Sequence, residues 1–112
     1  MYIFGCSTEF GDSVVYITSI TEVDSIALSH KFKFLPYRAD FSQQLKDKLE
    51  MGDRRLQYQT SAVFFSDKKA KLEKKYANLK KRWLKKGEMK IVSLPETEFK
   101  FVHPLDYNPV YE

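Results

Sequence analysis

The stretch QYQTSAVFFSDKKAKLEKKYANLKKRWLKKGEMKIVSL, residues 57 to 94, decides the fold. Residues 57–65 alternate Tyr58, Thr60, Ala62 and Phe64 against Val63 and Phe65, the two-residue period of a strand. Ser66 is placed to cap a helix and Asp67 to complement its positive end. A long helix follows to residue 86, with Gly87 as its stop. Residues 90–94 then read as another strand. A strand, a long helix and a strand in that order imply a right-handed crossover joining parallel strands.

Before this unit, residues 2–6 form a first strand, with Tyr2, Phe4 and Cys6 on one face and Ile3 on the other. Residues 14–20 are β-branched or aromatic at nearly every position and make the most secure strand, paired with the first as an antiparallel hairpin. Gly11 and Asp12 lie in the loop between them. Residues 22–34 are the least readable: Asp24 suits a short turn of helix, and Lys31 to Phe34 alternate like an edge strand, before Pro36 ends any helix nearby. Asp40 stands three residues before Gln43, a variant of the capping box, and Phe41, Leu45 and Leu49 recur at helical spacing, so a first helix is expected over residues 41–51 with Gly52 as its stop. After Pro95, residues 98–103 read as a final strand with Phe99 and Phe101 facing one way, and residues 104–112 as an extended strap.

The expectation is an α+β fold of order β-β-α-β-α-β, with the final strand as an addition: a mixed sheet of four or five strands, two-layered, with both main helices on one face. The 112 residues make one domain, 43% hydrophobic and 30% charged, a globular composition. One cysteine excludes an internal disulfide framework. The apolar runs are too short to span a membrane. The first residues lack a basic segment and an apolar core of signal-peptide length, so a cytoplasmic location is expected.

Charge is unevenly distributed. The net charge is +4, yet residues 67–90 hold eleven Lys or Arg against Asp67, Glu73 and Glu88. The rest of the chain is mildly acidic. Around the long helix, Leu72, Tyr76, Leu79 and Trp83 share one face, with Ala70, Ala77 and Leu84 as a neighbouring strip that broadens it. Lys68, Lys71, Lys75, Arg82 and Lys86 line the opposite flank, a row of about 27 Å that could track a phosphate backbone. The competing reading is a solvated face, since lysine is a good helix former and keeps a small domain soluble.

Other candidates are weaker. Arg38, Arg54 and Arg55 flank the first helix and could bind an anion in bidentate fashion, with Asp40, Asp47 and Asp53 as competing surface partners. The strand aromatics could stack bases, although a sheet covered by two helices needs them for its core. Cys6 could be a nucleophile with His30 or His103 as its base, but a cysteine on a strand usually behaves as a small buried hydrophobe. One cysteine and two distant histidines make no recognised metal spacing, and no phosphate-cradling or dinucleotide fingerprint is present, so neither metal nor cofactor is expected.

Phe4-Gly5, Phe10, Asp12-Ser13, Val15-Tyr16-Ile17-Thr18 and Tyr37-Arg38, followed by Ser42 and Gln44-Leu45, resemble a family of small uncharacterised bacterial α+β proteins over most of the chain. The resemblance implies a cytoplasmic bacterial protein and brings no activity or site residues with it. The residues themselves point to a non-enzymatic interaction module binding a protein partner or a second copy of itself, with a nucleic-acid-binding protein using helix 67–86 as the alternative.

Overall fold

The structure is a computed structural model that describes residues 1–9, 13–24, 38–52, 54–56, 58–87 and 89–107, with Lys86 and Leu105 described by their backbone alone. Along the chain these form β1 (Tyr2–Glu9), β2 (Val14–Thr18), β3 (Thr21–Glu22), α1 (Arg38–Met51), β4 (Gln59–Ser66), α2 (Lys69–Lys86), β5 (Lys90–Leu94) and a 3-10 turn (Pro104–Asp106). His30 and the readings at residues 25–34 lie outside the described residues, as do residues 108–112 of the expected strap.

β1 is the centre of the sheet. β4 lies antiparallel along its whole length, from Tyr2↔Ser66 to Glu9↔Gln59, and so occupies one edge. β2 and β3 must share the other edge, β2 through Cys6↔Ile17 and β3 through Ile3↔Thr21. The pairing slips by one residue between these two points, which makes β2 and β3 one strand interrupted by a bulge. Thr18 repairs the interruption: its Oγ1 accepts the Gly5 N–H at 2.9 Å. β5 then adds to β2 in parallel, Val14↔Lys90 to Thr18↔Leu94. β4 and β5 therefore run in the same direction with β1 and β2 between them, and α2 spans the sheet to connect them.

The class read from the sequence is the one found: α+β, a mixed sheet and two main helices. The layering differs. On β1, Ile3 points into a cluster with Phe41, Leu45 and Leu49 of α1, whereas Phe4 points into a cluster with Leu72, Tyr76, Leu79 and Trp83 of α2. Adjacent strand residues face opposite ways, so α1 and α2 cover opposite faces and the sheet is the middle of three layers. The physical cause is that each of the two strands is apolar on both faces, β1 through Ile3 and Phe4 and β4 through Val63 and Phe64, and each apolar surface requires a cover.

No final strand forms among the described residues. Residues 99–103 instead cross the α1 face with Phe99 and Phe101 buried in the first cluster. The Gln44 amide holds the Val102 backbone through Nε2–H to its carbonyl (2.8 Å) and Oε1 from its N–H (3.0 Å). Tyr107 donates its hydroxyl to Asp47 at 2.8 Å. The Asp40 capping reading also changes: α1 starts at Arg38, Asp40 sits in its first turn, and Gln43 donates to Asp47 at 2.7 Å. Gly87 ends α2 in the left-handed conformation, φ 71°, as its position in the sequence predicts. The α2 N-cap is Lys68 with no side-chain cap, and Ser66 Oγ accepts the Lys68 N–H instead.

Candidate functional site

The side of α2 that meets the sheet is as expected. Leu72 is buried, and Tyr76, Leu79 and Trp83 are half-buried against Phe4, Ile17 and Phe64. Phe4 stacks on Phe64 with centroids 5.0 Å apart and meets Tyr76 edge-on at 5.1 Å. The broadening strip is not part of this face: Ala70, Ala77 and Leu84 are exposed, Leu84 at 65%. At 100° per residue they stand about 120 to 160° from Leu72, which puts them on the solvent side of the helix.

Lys68, Lys71, Lys75 and Arg82 are all exposed, and Lys86 continues their row along the helix backbone. Lys74, Lys81 and Lys85 are exposed beside them. The ion pairs among the described residues are Lys46–Glu50 and Arg54–Glu98, so no cation from Lys68 to Lys85 is neutralised by a described carboxylate. Two of them lie on aromatic rings instead: Lys75 Nζ is 4.9 Å from the Phe64 centroid and Lys80 Nζ 4.8 Å from that of Tyr76. Lys75 over Phe64 puts the row on the β4 side of α2. There the sheet is only partly covered. Ala62 and Thr60 of β4 face the α2 side in register with Cys6 and Thr8, and both are exposed. The sequence held no signal for this uncovered corner, because it arises from where α2 crosses the sheet.

The arginines flanking α1 do not converge. Arg38 and Arg54 stand at opposite ends of a helix about 20 Å long. Arg54 makes a two-bonded pair with Glu98, Nε–Oε2 2.6 Å and the second terminal nitrogen to Oε1 3.0 Å, and its guanidinium lies 5.5 Å from the Tyr16 ring. It is a clamp on the C-terminal segment. Arg38 reaches the Val63 carbonyl at 3.5 Å and lies 5.9 Å from the Phe65 ring. It lines a groove of about 700 Å³ with Asp40, Ser42, Gln43, Lys46 and Ser61. Asp40 and Arg38 bring opposite charges to it without forming an ion pair. Lys46 is engaged by Glu50 at 2.6 Å and by the Gln59 carbonyl at 2.8 Å. Burial by itself raises the Glu50 carboxyl, and the hydrogen bonds from Lys46 and the Gln59 N–H outweigh it, leaving Glu50 below its ordinary value. Arg55 is exposed, at φ 50°.

Cys6 packs against the α2-side cluster, and burial pushes its thiol up to about 11, opposite to what a nucleophile near neutral pH requires. His103 lies on the α1 side, lining a cavity of about 280 Å³ with Glu22, Asp24 and Asp106. The sheet separates it from Cys6, so the two form no dyad. Among the described residues no cluster of three or more His, Cys, Asp or Glu side chains is placed to hold a metal ion. No helix among them is long and apolar enough to cross a membrane. Comparison of the chain with protein-family models, curated proteins and solved structures gives no match, so the reading of its site rests on these residues alone.

Proposed function

We infer that the chain is a binding module and that its basic helix engages nucleic acid. The observation that supports this reading is the exposed face of α2, on which Lys68, Lys71, Lys75 and Arg82 stand without carboxylate partners among the described residues. A phosphate backbone gains from such a row by releasing its condensed counterions, and the gain requires no deformation of the fold. The cation-bearing helix is itself anchored by Leu72 and Trp83 on the sheet, so its charges are presented on a rigid element. A mobility-shift assay at low salt with DNA and RNA tests the reading. Binding is expected, and neutralising Lys71, Lys75 and Arg82 together should weaken it and flatten its salt dependence by about 0.7 to 0.9 in the log–log slope per lost phosphate contact. No shift with any nucleic acid at low salt overturns it.

A second reading, a protein partner or a second copy of the chain, is favoured by the far edge of β4. Among the described residues no strand pairs with it. Glu50 and Lys46 occupy the backbone groups of Gln59, and Arg38 reaches Val63. The intervening Ser61 is left as a point where another strand could add. Light scattering across a concentration series checks it: a dimer that Ser61→Pro dissolves supports edge pairing, and a monomer throughout rules out self-association.

A further inference from the structure

The uncovered corner between α2 and β4 narrows the class of nucleic acid, an inference that rests on the nucleic-acid reading of α2. We propose that the ligand is single-stranded and lies along the β4 side of α2, its phosphates on Lys68, Lys71, Lys75 and Arg82 and its bases against Phe64, Ala62 and Thr60.

The cations form a wall, because the row sits on the flank of α2 that overhangs Phe64. The floor is the α2-facing side of β4. From Thr60 to Phe64 it is about 13 Å long, and it is bordered by β1 about 5 Å away. Ala62 and Thr60 are exposed, so small side chains leave the floor flat, and the half-buried Cys6 and Thr8 border it on β1. Such a shelf seats the bases of one strand. A duplex keeps its bases stacked inside and presents two backbones across a groove about 12 Å wide, for which the floor has no use. The chemistry of the wall and floor is the combination that binds single strands without sequence preference: cations along a backbone beside an aromatic ring.

Phe64 supplies that ring. One face is stacked on Phe4 and so held in place. Lys75 lies over the ring and has no described carboxylate partner. When Lys75 turns to a phosphate, it uncovers the ring for a base, and the same movement makes both contacts.

The test is fluorescence anisotropy at low ionic strength with a labelled oligothymidylate, a labelled oligouridylate and a duplex of equal length. Both single strands are expected to bind about tenfold more tightly than the duplex. Ala62→Asp and, separately, Thr60→Glu put a carboxylate on the floor at exposed positions and should each lower single-strand affinity about tenfold with an unchanged melting temperature. Leu84→Asp, on the solvent side of the same helix, should have far less effect. Duplex binding as tight as single-strand binding, or floor variants that bind like the wild type, overturns the single-strand proposal and leaves the polyanion reading of α2 standing. Absence of binding to all three probes overturns both.

Discussion

Gln44 holds Val102 as a neighbouring strand would: one side-chain amide satisfies both the N–H and the C=O of a single backbone residue. Gln44 is 1% exposed, and this partnership is why a polar side chain can sit in α1 between Phe41 and Leu45 without penalty. Gln44→Ala leaves both Val102 groups without that partner and opens a void. The expected loss is roughly 2 to 3 kcal/mol in urea unfolding. A change below about 0.5 kcal/mol, the scale of an ordinary surface substitution, would mean that water replaces the amide at no cost.

Gly5 tests the packing of the same layer. A Cβ there would stand 2.9 Å from Phe101 Cζ, 3.0 Å from Leu45 Cδ2 and 3.2 Å from the Ala62 carbonyl oxygen. The last of these is backbone and paired in the sheet, so it cannot move aside cheaply. Gly5→Ala should cost about 1 to 3 kcal/mol, although alanine suits a strand better than glycine. An unchanged melting temperature would show that residues 99–103 do not press on the sheet as closely as described.

Cys6 gives a pH dependence with a definite sign. Its ordinary value is 9.0, and burial raises it to about 11 in the folded chain. The folded state therefore keeps the proton after the unfolded state has lost it. The resulting stabilisation is complete below pH 9, and is lost as pH rises from there through about 11. Cys6→Ala should remove this part of the alkaline decline. Thiol labelling of the native protein near neutral pH should be slow; rapid labelling would place a thiolate where burial forbids one.

Arg54 and Glu98 act at the acid end. The hydrogen bond from Arg54 lowers the Glu98 carboxyl below its ordinary 4.5, with burial opposing. Its contribution is present above that value and disappears as pH falls through the lowered one. Both side chains are partly open to solvent, so Glu98→Gln should change stability at neutral pH by less than about 1 kcal/mol while shifting the acid limb of the unfolding curve. An acid limb identical to the wild type would remove this pair from the account of acid stability.

Trp83 is half-buried, where the helical stripe alone predicts a core position. Trp83→Ala should accordingly cost about 2 kcal/mol, below the roughly 3 to 5 kcal/mol of a fully buried aromatic. Its native emission should lie between that of a buried and a fully hydrated indole, and quenching by iodide should be partial. Complete protection from iodide would place the ring deeper than the structure does.

The elements were legible because each carries a local signal. The Val14-to-Thr18 run is β-branched or aromatic throughout, Gly87 stops α2, and residues 90–94 form the predicted strand. Layering was not, since it depends on reading both sides of one strand at once: the neighbours Ile3 and Phe4, and Val63 and Phe64, imply a cover on each face. Partners distant in sequence were equally hidden. Asp47 and Asp53 were nearer candidates for Arg54 than Glu98, 44 residues away. The cation row was visible from spacing, but the exposed Ala62 and Thr60 beside it required the register of β4 on β1 and the path of α2.

The connection made by α2 has a kinetic consequence. β2 finds its parallel neighbour only in residues 90–94, more than seventy positions later in the chain. During synthesis the hairpin of β1 and β2, α1 and β4 can all assemble while that flank of β2 has nothing to bond. Pairing between segments so distant in sequence forms late and slows folding. A nascent chain paused before residue 90 thus carries an open β-edge along Val14–Thr18, the segment richest in residues that favour intermolecular pairing. Completion of β5 is the step that removes this aggregation hazard, and the ribosome reaches it late.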